Sequence, residues 1–456
     1  MKFKNSNGRK WLAVMDVELQ ILKHLPRDPQ PTVSIIDEYC SEYKDLFKEV
    51  RNYECFKYLH LGIVSQIPRK SLPEIAKVVG LNSPQSLHHF IANSPWSVCD
   101  LKKRRLKRIK NALKGEKITL IIDETGDRKK GSKTDYVARQ YLGSVGKVDN
   151  GIVSVNAYGV YRNITFPLAV KVFKPRGTLL EGDKYKTKIT IASEIITYLV
   201  DFGFNIELVL ADSLYGESSE FIRTLDKHEL EYVVAIRSNH AVWLPANQRV
   251  RANRWCKFTR TFSDQKSENR YIREIIYGKK TSITYWEITT DPETMPANST
   301  SFVMTNIKGK LKKILGDLYG LRTWVEYAFR QCKQELGWTD YRFTNFKDID
   351  KWWEIILCVY TMVALNSQPF IYLNQSNQIR VGTEENNSVR FSSHKQWNHQ
   401  GGWKNTLNNI RLIIQPIFIF WMIYPWLEVF PCGNLFTGFN DLIAAVNQSK
   451  FFYPSG

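Results

Sequence analysis

Ile118 to Asp127, reading ITLIIDETGD, is the stretch that decides the fold. Ile118–Ile122 is a β-rich apolar run that stops at an acid, Asp123, as a buried strand does where it leaves an open sheet. The same grammar recurs at NIELVLADSLYG, where a strand over Ile206–Leu210 runs into Asp212. Between the two, NGIVSVNAYGVYRN and ITFPLAVKVF alternate with period two. They read as paired strands joined by a turn near Arg162–Asn163. Helical spacing over Thr187–Asp201 and Ser218–Asp226 separates these from a fifth strand, EYVVAIRSN.

The order β-β-β-α-β-α-β, with an acid closing the first and fourth strands, predicts an α/β, RNase H-like core: a mixed five-stranded sheet flanked by helices. Ligands of open sheets gather at strand carboxyl ends, where Asp123 and Asp212 are expected. A third acid comes from YGLRTWVEYAFRQCK, Tyr319 to Lys333. Tyr319, Arg322, Glu326 and Lys333 are spaced to project from one helical face. Three carboxylates on one point repel unless they share divalent cations, and hard oxygen ligands of this kind suit two Mg²⁺ or Mn²⁺ ions.

The remaining chain divides around that core. Residues 1–115 read as a helical DNA-binding domain, with helical spacing in WLAVMDVELQILKHL and in YKDLFKEVRNYECFKYLHLGIVSQI. Within it, Ser71–Trp96 suggests helix, Gly80 turn and second helix, compatible with either a groove-reading helix pair or a plain bundle. The run KKRRLKRIK, Lys102–Lys110, is read as a phosphate-contacting face through Arg104 and Arg105. The core occupies 116–239 and 309–370, interrupted by an alternating, strand-like insertion at 240–308 with a turn at Gly278. A polar linker, 371–400, precedes a helical C-terminal segment, 401–456. Its apolar window Leu412–Phe430 carries Gln415, Pro416, Pro425 and Glu428, which predicts a buried helix pair or helix–turn rather than a membrane span.

Composition points the same way. Lys and Arg number 64 against 45 Asp and Glu, a net charge of +19, so a polyanionic partner is expected. Seven dispersed cysteines without a C-x-x-C argue for reduced thiols in a cytoplasmic protein. The N-terminus, MKFKNSNGRK, lacks the apolar stretch of a secretory signal.

D-E-T-G at Asp123–Gly126, A-D-S-x-Y-G at Ala211–Gly216 and the Tyr319, Arg322, Glu326, Lys333 set resemble the DDE transposases of bacterial insertion sequences, in the supergroup marked by a Y-R-E-K signature. Arg128–Val155 and Leu87–Trp96 are similar to its IS701 branch. The resemblance implies metal-dependent DNA cleavage and strand transfer by Asp123, Asp212 and Glu326. It implies DNA contacts from Arg322 and Lys333, with Tyr319 on a phosphate or displaced nucleotide. It also implies backbone contacts from Arg128, Lys129, Lys130 and Lys133, and a ring stacked on a flipped base, for which Trp286 or Trp255 is the candidate. Partners would be the terminal inverted repeats and target DNA, handled by a homodimer close to the nucleoid. A nuclease without strand transfer and a domesticated, non-catalytic DNA-binding protein are the alternative readings.

Overall fold

The computed structural model describes residues 27–448 apart from 144, 243–249, 262–265, 278–281, 368–390 and 392–393. The helix expected in WLAVMDVELQILKHL, the Gly278 turn and most of the 371–400 linker lie outside the described residues.

The core strands are β1 (Ile118–Arg128), β2 (Ala138–Leu142), β3 (Lys147–Tyr161), β4 (Ile164–Val172), β5 (Ile206–Ala211) and β6 (Glu231–Ile236). Helices α6 (Lys188–Asp201), α7 (Ser213–Gly216) and α8 (Ser219–Lys227) fall between β4 and β6. The sheet runs β4-β3-β1-β5-β6, with β1, β5 and β6 parallel and β3 antiparallel to both its neighbours, β1 and β4. The expected mixed core is therefore present, and the β3–β4 turn falls at Arg162–Asn163, with Arg162 left-handed at φ 53°.

Two expectations about the sheet need correction. The first strand does not stop at Asp123: β1 continues to Arg128, because β3 pairs along it from Thr119↔Val160 to Arg128↔Gly151. What ends at Ile122 is the parallel pairing with β5, so Asp123 is the first residue of β1 whose β5 flank is open. The insertion also extends the sheet. Its strands are β7 (Val250–Ala252), β8 (Cys256–Thr261), β9 (Ser267–Tyr277), β10 (Thr284–Thr289) and β11 (Ser301–Thr305). β11 pairs with β6, and β10 and β9 follow, giving one eleven-stranded sheet among the described residues. An otherwise open β6 edge is closed by β11, whose Val303, Met304 and Thr305 are buried.

On the N-terminal side lie α1 (Ser34–Ser41), α2 (Val50–Val64), α3 (Leu72–Val78), α4 (Gln85–Ala92) and α5 (Val98–Leu113). Gly80 ends the turn after α3 at φ 74° and lies against the Trp421 indole. After the insertion come α9 (Leu315–Gly320), α10 (Thr323–Arg330), a π-helical turn over Gln331–Glu335 and α11 (Phe346–Leu365). From Lys351 to Ala364 α11 is buried on all sides; there Lys351 donates to Ser94 O, Glu354 pairs with Arg105, and Thr361 donates to Leu357 O.

The C-terminal window forms one helix, α12 (Trp403–Val429), followed by α13 (Gly433–Gln448), rather than the buried helix pair or helix–turn expected. Pro416 and Pro425 lie inside α12 without ending it. Its first half packs into the core, whereas Met422, Trp426 and Val429 are about two-thirds exposed, at 64–66%. By length and composition alone, α12 is long and apolar enough to cross a membrane.

Candidate active site

Each acid is delivered by a different local device. Asp123 comes from the unflanked part of β1, with one carboxylate oxygen accepting from Glu124 N at 2.8 Å. Asp212 follows β5 directly and caps α7, accepting from Leu214 N at 3.0 Å. The chain can turn there because Gly216 has no side chain: a Cβ would lie 2.0 Å from Ala235 O. Glu326 stands on α10.

The Arg322 guanidinium joins two of them. Nη1 donates to Asp123 Oδ2 at 3.2 Å and Nη2 to Glu326 Oε1 at 3.3 Å. Burial pushes the Asp123 carboxyl up to about 7; Arg322 opposes the shift, while the charges of Asp212 and Glu326 add to it. Negative charge is thus crowded at this point. Glu326 remains half exposed, and among the described residues no three such side chains are already closed around an ion position. The donor set of carboxylates sharing an excess of negative charge fits a hard divalent cation, with Arg322 as the positive partner bonded to Asp123 and Glu326.

The four-residue helical face is bent rather than straight. α9 and α10 meet at a tight turn, Arg322 N donating to Tyr319 O at 3.1 Å, and the π turn shifts the phase of Lys333. Lys333 Nζ donates to Thr125 Oγ1 at 2.7 Å and to Gly126 O at 2.9 Å, and forms an ion pair with Asp127 Oδ1 at 2.8 Å. Asp127 is buried and also accepts from Trp338 Nε1 at 2.8 Å. Lys333, on the π turn, therefore clamps the end of α10 to β1. Tyr319 is buried too, and burial raises its hydroxyl while the nearby Arg322 charge opposes the shift. The clamp residue Asp127 was not singled out from the sequence. The signal was available, since Asp123, Thr125 and Asp127 share one face of a strand at period two.

These motifs agree with the comparisons to known proteins. Residues 45–258 match the family model described as DDE superfamily endonuclease, and residues 180–362 match the transposase DDE domain. Over 357 residues, 78% of this chain and 94% of the relative, the chain is 52% identical to a probable transposase for insertion sequence element IS701 of Microchaete diplosiphon. The chain belongs to the DDE transposases of the IS701 family. It is thus a member of a DNA-cleaving, strand-transferring enzyme family. A solved Drosophila P element transposase strand transfer complex aligns with 50% of this chain and 43% of its own at 13% identity, with a TM-score of 0.18, too low to bear on the fold.

Two residues expected at the transposase's DNA surface are structural instead. Arg105 is fully buried: Nε donates to Glu354 Oε1 at 2.6 Å and Nη1 to Pro167 O, so it cannot reach a phosphate. Trp286 is 3% exposed in the middle of β10, its Nε1 donating to Thr284 Oγ1 at 2.9 Å, so its ring offers no face to a flipped base. Trp255 is half-buried beneath the Arg273 guanidinium, 4.2 Å from the ring centre. Arg104 spends its fork on Asp45, with both bonds at 2.7 Å. Arg128 pairs with Asp149 at 2.8 Å, and Lys129 lies 3.8 Å over the Tyr341 ring. Lys130 and Lys133 are exposed on the loop leaving β1.

Proposed function

We propose that this transposase binds the terminal inverted repeats of its element and cuts and transfers DNA strands with two Mg²⁺ or Mn²⁺ ions held by Asp123, Asp212 and Glu326. The observation that carries the reading is the bridge Asp123–Arg322–Glu326, which links an acid of β1 to the helix 199 residues later, with Asp212 adding its charge to the same point. Bound divalent ions would supply Lewis-acid activation and charge neutralisation for in-line displacement at phosphorus.

The chain's own residues then have distinct tasks. Asp123, held by the Glu124 amide, and Asp212, fixed by its capping bond, present oxygens from rigid sheet positions. Glu326, half exposed, closes the set from the DNA side. Arg322 is placed to exchange a carboxylate for a phosphate oxygen when DNA enters, because its planar fork suits both. Lys333 and Asp127 keep the helix in register with β1, and Lys130 and Lys133 would meet the backbone.

The N-terminal helices, 27–113 among the described residues, would supply further end contacts, the β insertion would face DNA near the cleavage point, and two copies would pair the two ends. We place this work in the cytoplasm, on the nucleoid. The test is cleavage of an end-containing duplex. Glu326→Gln should bind it with near-parental affinity and lose Mg²⁺-dependent cleavage; full cleavage by that variant sinks the assignment. Oligonucleotide ends that are cut but never joined to target DNA would instead favour a plain nuclease.

A further inference from the structure

A cleft of about 430 Å³ opens at the outer edge of the core sheet, beside β4 and away from the three acids. Five lysines border it: Lys102 from α5, Lys171 from β4, and Lys174, Lys184 and Lys186 from the segment leading into α6. Two are neutralised locally, Lys174 by Asp183 and Lys186 by Glu194 at 2.6 Å. Among the described residues, Lys102, Lys171 and Lys184 form no ion pair. The remaining acid at the cleft, Asp350, makes no ion pair among the described residues either, and burial raises its carboxyl against the pull of Lys102. Desolvation depresses the Lys171 ammonium and the Lys102 charge pushes the same way, so cations crowd here without enough anions.

The cleft is tied to the catalytic strand. Lys171 pairs with Val155, and Val155 with Glu124, so Lys171 lies two strands from the residue beside Asp123, roughly 10 Å across the sheet. Lys188, two residues after Lys186, bonds Glu124 at 2.8 Å. By strand alternation Lys171 shares the Glu124 face of the sheet, opposite Asp123, so a duplex seated at the acid meets the cleft around the β4 edge, within the length of one DNA turn.

We propose that Lys102, Lys171 and Lys184 form a second phosphate-binding site that grips the backbone of the duplex whose scissile bond lies at Asp123. This rests on the proposed function, since the duplex must first be bound there. Ammonium groups read phosphates as point charges, so the site is sequence-independent and acts through counterion release.

The experiment is a salt titration of binding, using the full chain carrying Glu326→Gln, magnesium-free buffer and a 40-base-pair duplex from the element's end. Lys102→Ala/Lys171→Ala/Lys184→Ala in that background should reduce the slope of log K against log salt by about 2 to 3, at ~0.9 per lost contact. The triple Lys→Arg variant should restore it, which separates lost charge from misfolding. An unchanged slope in the alanine variant overturns the site, even if overall affinity falls. If the parent itself binds the duplex without salt dependence, it is the proposed function that fails.

Discussion

Replacing Arg105 by Met should destabilise the protein strongly while leaving DNA binding of the folded molecule alone. Arg105 and Glu354 are 0% and 2% exposed, and the guanidinium makes bonds of 2.6 and 3.3 Å to the carboxylate besides its bond to Pro167 O. Pro167 lies beside the irregularity where β4 slips against β3, so its carbonyl depends on a side-chain donor. Met fills a similar volume, which keeps any cavity term small. The dominant loss is the Glu354 charge left buried without its partner, worth about 3–5 kcal/mol. Arg105→Met/Glu354→Met removes that charge as well and should recover most of the loss, since apolar replacement of a buried pair is often neutral. Urea denaturation read by tryptophan fluorescence checks both variants, because the Trp338–Trp353 stack, 4.7 Å between centroids, adjoins Glu354 in sequence. A loss below about 1 kcal/mol in the single variant, or a double variant no better than the single, would refute the buried-pair argument.

Other outcomes follow from the same geometry. Gly216→Ala should cost about 1–3 kcal/mol and depress cleavage, because the Ala235 carbonyl that a Cβ would strike is backbone of β6 and the displacement falls on Asp212's helix; unchanged melting and cleavage would count against it. Trp286→Ala should lose about 3–5 kcal/mol as a core residue, with the salt dependence of end binding intact; a variant of parental stability that fails only in DNA-end processing would return the ring to the DNA. His60 is buried, bonded to Phe56 O, and held down at about 4. It stays neutral in the fold while the unfolded chain protonates near 6.5, so stability falls as pH drops from 6.5 towards 4, by about 3 kcal/mol at the end of that window. Comparing urea midpoints of parent and His60→Leu from pH 7 to 4 isolates the effect, and parallel curves would contradict it.

The parts of the molecule legible in sequence are those set by local patterns. The β5 run reads as a buried parallel strand because it is apolar on both faces, and Asp212 follows it as a cap. Asp123 was found for the same reason, but its position inside a longer strand was not, since the polar Glu124–Arg128 segment is held in β1 only by pairing with β3. Arg105 sits in a run of like charges whose local pattern says surface. Its burial is decided by Glu354, 249 residues away. Trp286 belongs to an alternating strand whose two faces look equally plausible until β11 and β9 close on either side. The union of the insertion with the core sheet likewise depends on β6–β11 register, a contact across the whole insertion. Pro416 and Pro425 predicted a break in α12 that the chain does not make; at Pro416, tertiary contact along the first half outweighs the local penalty.

In the proposed site, three carboxylates from β1, the end of β5 and α10 converge on divalent ions. Anomalous diffraction from Mn²⁺ in crystals of the full chain bound to an end duplex tests it most directly. The expected result is two peaks between Asp123, Asp212 and Glu326, with Arg322 moved onto a phosphate oxygen. No peak there, or Glu326 turned away with Arg322 still on Asp123, would contradict it.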